Sequence, residues 1–124
     1  IMITSYNIET ILAEKIETVL RRGVFNSRMK DFYDIYYFLT KLRKDIDINI
    51  LKEAVDNTFT KRNSFEYLND YEQIINSIIG NERIEKLWNI YSNKYKYANG
   101  IDITEILNLL KDIINEVESA LATA

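Results

Sequence analysis

Apolar residues recur every three or four positions along most of the chain, the spacing that lines up side chains on one face of an α-helix. The first stripe runs from Ile8 to Arg22, with apolar residues at positions 8, 11, 12, 16, 19 and 20. Asn7 can cap this helix and Gly23 can end it. The pattern therefore predicts a first helix over residues 8–22.

Five further stripes follow, separated by short polar or glycine-containing connections. They predict helices over about 28–42, from 47 or 49 to 62, over 70–79, from 81 to about 95, and from 102 or 104 past 117; residues 63–69 are predicted to be a loop with a helical turn. Asn26 or Ser27 can cap the second helix. Only residues 23–27 separate the first two helices, which favours an antiparallel hairpin.

These elements predict an all-α fold. We expect a single domain over residues 1–124, a compact bundle of about six helices in which an N-terminal hairpin precedes four further helices. Proline is absent and glycine occurs three times, so few residues would interrupt a helix. The chain opens Ile-Met-Ile-Thr, which is not a natural start, and we expect it to be part of a longer protein.

The absence of cysteine and of histidine limits the kinds of active site that this chain can form. Without cysteine there are no disulfides and no thiolate metal site, and without histidine there is no imidazole base or catalytic triad. A helical ribonuclease that needs an Arg…His motif is disfavoured for the same reason, and a metal would have to sit on carboxylates, as Mg²⁺ and Ca²⁺ do. No signal peptide or membrane-length apolar run is present, so we expect a cytoplasmic protein without a membrane partner.

The charge is uneven along the chain. The net charge is −3, yet residues 1–44 hold eight Lys and Arg against five Asp and Glu, a net of +3. Such a local excess can meet phosphates, and ordinary surface scatter explains it about equally well.

Several charged residues lie where the helices should be apolar. Lys15 falls near the middle of the first apolar stripe, so it must extend to solvent, pair with an acid or line a cleft. In the second helix Arg28 and Asp31 fall on or beside the stripe, and Asp34 can project to the same side as Asp31. Two such carboxylates can hold a divalent cation, accept a proton from a hydroxyl, or form a surface charge cluster with Arg28 and Lys30.

The hairpin can bring Lys15 near Asp31 or Asp34. A lysine that neutralises phosphate beside an aspartate that acts as a base suits phosphoryl or nucleotidyl transfer, and it suits a structural ion pair equally well. Two other features indicate no site: Asp47 of an Asp-Ile-Asp sequence is better explained as a helix cap, and the nine tyrosines with Trp88 are better explained as core and groove residues than as a base-stacking platform.

Two segments carry a family resemblance: Ser5-Tyr6-Asn7-Ile8-Glu9-Thr10-Ile11-Leu12-Ala13-Glu14-Lys15, and Asn26-Ser27-Arg28-Met29-Lys30-Asp31-Phe32-Tyr33-Asp34-Ile35. They resemble the Y-x-(I/L)-E-x-I-x-A-E-K and S-R-x-K-D-(F/Y)-x-D segments of the AbiEii/AbiGii toxin nucleotidyltransferases. Weaker likeness extends over nearly the whole chain, through Ala54…Thr58-Phe59…Arg62 and through Trp88 with Tyr91.

The resemblance implies a polymerase-β-type nucleotidyltransferase with an added helical region, acting as the toxin of a toxin–antitoxin or phage abortive-infection system. Some members add nucleotides to the acceptor end of tRNA. It implies Lys15, Asp31 and Asp34 as catalytic residues and Glu14, Arg28 and Lys30 as supporting, substrate-binding positions. The alternative is a helical interaction module that binds an antitoxin or positions RNA and has no catalytic role.

The chain lacks the family's earlier Gly-Ser/Thr segment and strand-borne D-x-D, which carry the nucleoside triphosphate and Mg²⁺. We therefore expect the C-terminal portion of a longer enzyme, with the upstream core as its partner. Mg²⁺ and a triphosphate are expected in the full-length protein, none is expected in this fragment, and the isolated chain is expected to be inactive.

Overall fold

Seven α-helices form the described part of the chain in the computed structural model, which covers residues 7–123 and side chains up to residue 120. They are α1 (Ile8–Arg22), α2 (Met29–Thr40), α3 (Ile48–Lys61), α4 (Phe65–Asn69), α5 (Tyr71–Ile78), α6 (Glu82–Lys94) and α7 (Ile103–Thr123). Short 3₁₀ turns at Gly23–Phe25, Arg43–Asp45 and Lys96–Ala98 lie in the connections. No strand occurs in this part of the chain, and the all-α prediction is confirmed.

The structure adds one helix to the six that the sequence predicts. The helical turn that the sequence predicts within residues 63–69 is the short helix α4. Leu68 is buried, and the ring of Phe65 lies 6.2 Å from that of Phe59. Tertiary packing thus stabilises a five-residue helix too short to be stable by itself.

Most of the predicted helix ends are confirmed. The side chain of Asn7 accepts a hydrogen bond from the Thr10 amide at 2.8 Å, and Asp47 and Asn81 cap α3 and α6 in the same way. The prediction that Asn26 or Ser27 caps α2 is wrong. The residue before α2 is Arg28, and Asn26 accepts its backbone N–H at 2.9 Å, which turns the chain into the helix instead.

The core is built around α1, which packs against α2, α3, α4 and α5. The long helix α7 crosses α2, α3 and α5 and closes the bundle. Aliphatic side chains at helical spacing fill the interior, among them Leu12, Ile16, Leu51, Val55, Ile106 and Leu110. Within the part that the structure describes, no helix is long and apolar enough to cross a membrane.

The helix α6 lies at the edge of the bundle. Its buried Trp88 donates a hydrogen bond from Nε1 to the carbonyl of Ile101 at 2.8 Å, which fixes α6 to the segment before α7. The helix also packs against α2 and against the 3₁₀ turn Lys96–Ala98. These contacts hold that turn beside the hairpin.

Candidate functional site

The predicted hairpin of α1 and α2 forms, and it is held at both ends. Gly23, at φ +52°, ends α1 and starts the turn into α2. At the other end, the buried carboxylate of Glu9 accepts the backbone N–H of Asp47 at 2.7 Å. The start of α1 therefore lies beside the chain that follows α2, which makes the two helices antiparallel.

Lys15 meets the acidic pair of α2, as the sequence predicts. Its Nζ lies 2.9 Å from Oδ2 of Asp34 and 4.0 Å from Oδ1 of Asp31, and 26% of its side chain is exposed. Of the three alternatives for a lysine on an apolar stripe, pairing with an acid and lining a cleft both hold. The lysine is half-buried at a rim rather than extended into solvent.

The Asp34 carboxylate is shared by two lysines. Lys30 donates to both of its oxygens, at 3.1 and 3.0 Å, from one turn earlier in α2. The hydrogen bond to Asp34 raises the pKa of Lys30, against a smaller opposing effect of burial. Asp34 is thus neutralised from both sides and holds Lys15 in place.

Asp31 has different surroundings. It is 7% exposed, and its nearest cations are Lys15 at 4.0 Å and the Nε of Arg28 at 3.9 Å, both beyond hydrogen-bond distance. Its Oδ2 is buried and accepts no hydrogen bond from the described residues. A buried carboxylate oxygen without a hydrogen-bond donor destabilises the folded state, so it is an uncommon feature that marks Asp31 as a candidate functional residue.

These side chains border a cleft of about 250 Å³ where α1, the start of α2 and the end of α3 meet. Its lining consists of Ile11, Glu14, Lys15, Thr18, Arg22, Arg28, Asp31 and Arg62. The lining contains four cations and two carboxylates, and two of the cations, Lys15 and Arg62, are also paired with Asp34 and Glu17. Cations grouped in this way can bind an anion with several oxygens, such as a phosphate chain.

Arg62 is held at the cleft by a buried glutamate that the sequence analysis did not single out. Glu17 is fully buried in α1, and it accepts hydrogen bonds from Arg62 at 2.6 Å and from Arg21 at 3.0 Å. Burial raises the pKa of Glu17, but the hydrogen bonds from Arg62 and Arg21 outweigh it, so its pKa is lowered. A signal was present, since Glu17 lies four residues after Ala13 and three before Leu20, on the buried side of α1.

The six predicted site residues divide between two places. Glu14, Lys15, Arg28 and Asp31 line the cleft, with Glu14 and Arg28 exposed at its edge. Lys30 lies outside the cleft and lines a second groove, where Asp34 is also found. Asp34 therefore lies between the cleft and the groove, paired with Lys15 on one side and with Lys30 on the other.

The described residues do not make a metal centre. No three Asp or Glu side chains between residues 7 and 120 are grouped to hold an ion. As predicted, Asp47 is a helix cap, since its carboxylate accepts the N–H groups of Asn49 and Ile50. The carboxylate of Asp34 is already paired with Lys15 and Lys30.

Comparison with known proteins shows the family of the chain. The family model of the nucleotidyl transferase AbiEii toxin, of type IV toxin–antitoxin systems, matches residues 1–119. No curated protein and no solved structure matches the chain. The match includes Ser5 and Tyr6 of the first motif, which lie outside the described residues. The chain belongs to the AbiEii family of nucleotidyl transferase toxins.

Proposed function

We propose that this chain is the helical C-terminal part of an AbiEii-like toxin that transfers a nucleotide to RNA, for example to the acceptor end of tRNA, in the cytoplasm. The upstream core that the resemblance implies would bind the nucleoside triphosphate and Mg²⁺. Its antitoxin is the expected protein partner, and phage defence is the expected setting. The isolated chain would be inactive.

One observation carries the proposal: Lys15 is fixed 2.9 Å from Asp34 at the rim of a cleft that also presents Arg22, Arg28 and Arg62. A fixed ammonium beside guanidinium groups suits the phosphates of a nucleotide, because preorganised cations stabilise the charge that develops during transfer. In this arrangement Lys15 contacts phosphate, and Glu14 and Arg28 contact substrate at the edge.

The two aspartates take separate roles. Asp34 positions Lys15, since its carboxylate pairs with Lys15 and both of its oxygens already accept hydrogen bonds from Lys30. Asp31 lines the cleft and lies beyond hydrogen-bond distance of its two neighbouring cations, so its carboxylate can accept the hydrogen bond of the acceptor hydroxyl and take its proton as a general base.

The test compares Lys15→Ala with Lys86→Ala in the full-length gene. Lys86 is exposed on α6 and away from the cleft, so it serves as the matched control. We expect Lys15→Ala to abolish toxicity and to lower nucleotide transfer to RNA by on the order of 100-fold. Its thermal midpoint should stay close to that of the wild type, because a partly exposed ion pair contributes about 1 kcal/mol or less.

Toxicity equal to wild type in Lys15→Ala would overturn the assignment of Lys15 as a residue that contacts the nucleotide phosphate. If Asp31→Ala also kept full toxicity while the protein still bound its antitoxin or RNA, the chain would be a helical interaction module. Loss of toxicity in Lys86→Ala as well would show that the assay reports folding or expression.

A further inference from the structure

The groove on the far side of Asp34 is lined mainly by tyrosines. It measures about 380 Å³ and is bordered by Lys30, Tyr33, Asp34, Tyr37 and Tyr97. Tyr33 and Tyr37 come from α2, and Tyr97 comes from the 3₁₀ turn after α6. The turn and the helix thus build one concave aromatic surface.

The rings are held in place although two of them face solvent. Tyr37 is 43% exposed and Tyr97 is 50% exposed. The ring of Tyr97 lies 4.6 Å from that of Tyr33 and 5.4 Å from that of Tyr95, and its hydroxyl is 2.7 Å from that of Tyr91. Burial and this hydrogen bond raise the pKa of Tyr91. The ring of Tyr37 lies 6.4 Å from that of Tyr33. Exposed rings that pack against their neighbours can stack on a ligand at little entropic cost.

The charges around the groove favour a polyanion. Lys30 lines the groove. The exposed Lys94 and Lys96 flank Tyr95 where α6 joins the 3₁₀ turn. The Nζ of Lys94 lies 5.4 Å from the centre of the Tyr95 ring. The groove's one carboxylate, Asp34, is neutralised by Lys15 and Lys30. Cations interleaved with exposed aromatic rings are what single-stranded nucleic acids require, stacking for the bases and positive charge for the phosphates.

We propose that Tyr37 and Tyr97 stack an unpaired base of the acceptor RNA, with its backbone phosphates on Lys30, Lys94 and Lys96. The sequence favours core and groove roles for the tyrosines over a base-stacking platform, and this proposal departs from that prediction. It deepens the proposed function and rests on it, because Asp34 accepts hydrogen bonds from Lys30 on the groove side and forms an ion pair with Lys15 on the cleft side. A base in the groove would therefore place the RNA end beside the cleft.

The test measures binding of the full-length protein to a labelled RNA hairpin with unpaired 3′ nucleotides, and to the same hairpin with a blunt end, by fluorescence anisotropy. We expect Tyr37→Leu, which keeps apolar volume but removes the ring, to weaken binding of the overhang RNA by about five- to a hundredfold. Tyr37→Phe should retain binding. Ile90→Ala, on an exposed position of α6 outside the groove, is the control. Changing Lys94 and Lys96 to glutamine should lower the salt dependence of binding.

Equal affinity of Tyr37→Leu and Tyr37→Phe for the overhang RNA would overturn the proposal, and so would equal wild-type affinity for blunt and overhang RNA. A loss confined to antitoxin binding would assign the groove to a protein partner and overturn the proposal too.

Different results reject the groove proposal and the cleft assignment. Transfer lost in Lys15→Ala with RNA binding unaffected by Tyr37→Leu would reject the groove alone, whereas RNA binding lost in Tyr37→Leu with full transfer in Lys15→Ala would reject the cleft assignment.

Discussion

At the residue scale, Asp31 and Asp34 show how far a spacing rule reaches. Their separation of three predicts that both project to one side of α2 and can meet Lys15, and the structure shows this. It does not predict that Asp34 would be shared by two lysines while an oxygen of Asp31 stays buried without a donor. The pairing of Lys30 with Asp34 follows from their spacing of four within α2, whereas the depth at which each carboxylate lies against α1 is determined by the packed helices.

The different surroundings predict different kinetic defects in the full-length enzyme. Asp31→Asn removes the proposed base and should lower kcat by about 10²- to 10⁴-fold with little change in the KM for nucleotide. Asp34→Asn loosens Lys15, which contacts phosphate in the bound state as well as in the transition state, and should raise that KM in addition to lowering kcat. Steady-state transfer assays with varied nucleotide concentration measure both parameters. Matching defects in kcat and KM for the two variants would contradict the separate roles.

At the element scale, local sequence predicts the helix ends well because a cap bonds to residues only two or three positions away. Asn7, Asp47 and Asn81 all act through such short bonds. The second cap of α3 is different. Glu9 bonds the N–H of Asp47 from 38 positions earlier, so no local pattern reveals it. It matches the glutamate of the first family motif, and here that residue ties α1 to α3.

The Asp-Ile-Asp sequence before α3 offers a direct test of cap against metal ligand. Asp47→Ala should lower the free energy of unfolding by about 1 kcal/mol, because two amides of α3 lose their acceptor. Asp47→Asn should keep most of that stability, and Asp45→Ala, at an exposed position, should change little. Urea denaturation measures all three. A loss of transfer activity in Asp45→Ala without a loss of stability would instead support a metal role.

At the scale of the whole molecule, the site is only partly local. The hairpin supplies Lys15, Asp31 and Arg28 within a short stretch of chain, and the sequence predicts their meeting. Arg62 reaches the cleft through the packing of α3 on α1, and Tyr97 reaches α2 through the packing of α6. Helical periodicity specifies which face of each helix is buried but not which helix covers it. The cleft and the groove therefore could not be predicted from the sequence alone.

Glu118 lies on α7, the helix that closes the bundle, in surroundings that disfavour its negative charge. One carboxylate oxygen of Glu118 is buried without a hydrogen-bond partner among the described residues. Burial, followed by the nearby charge of Asp56, raises the pKa of Glu118 above its ordinary value of 4.5, and Lys52 opposes this only in part. The folded state therefore binds the Glu118 proton more tightly than the unfolded state does.

This predicts a stability that falls as pH rises. Well below pH 4.5 Glu118 is protonated in both states and carries no penalty. Above that value the unfolded state ionises first, and the penalty grows until the pH passes the raised pKa of the folded state. Glu118→Gln, which cannot ionise, should be about 1 kcal/mol more stable than wild type at pH 7 and equal to it near pH 4. Urea denaturation at both pH values measures the difference, with the exposed Glu66→Gln as control. A variant less stable than wild type at pH 7 would show that the Glu118 carboxylate stabilises the contact between α3 and α7.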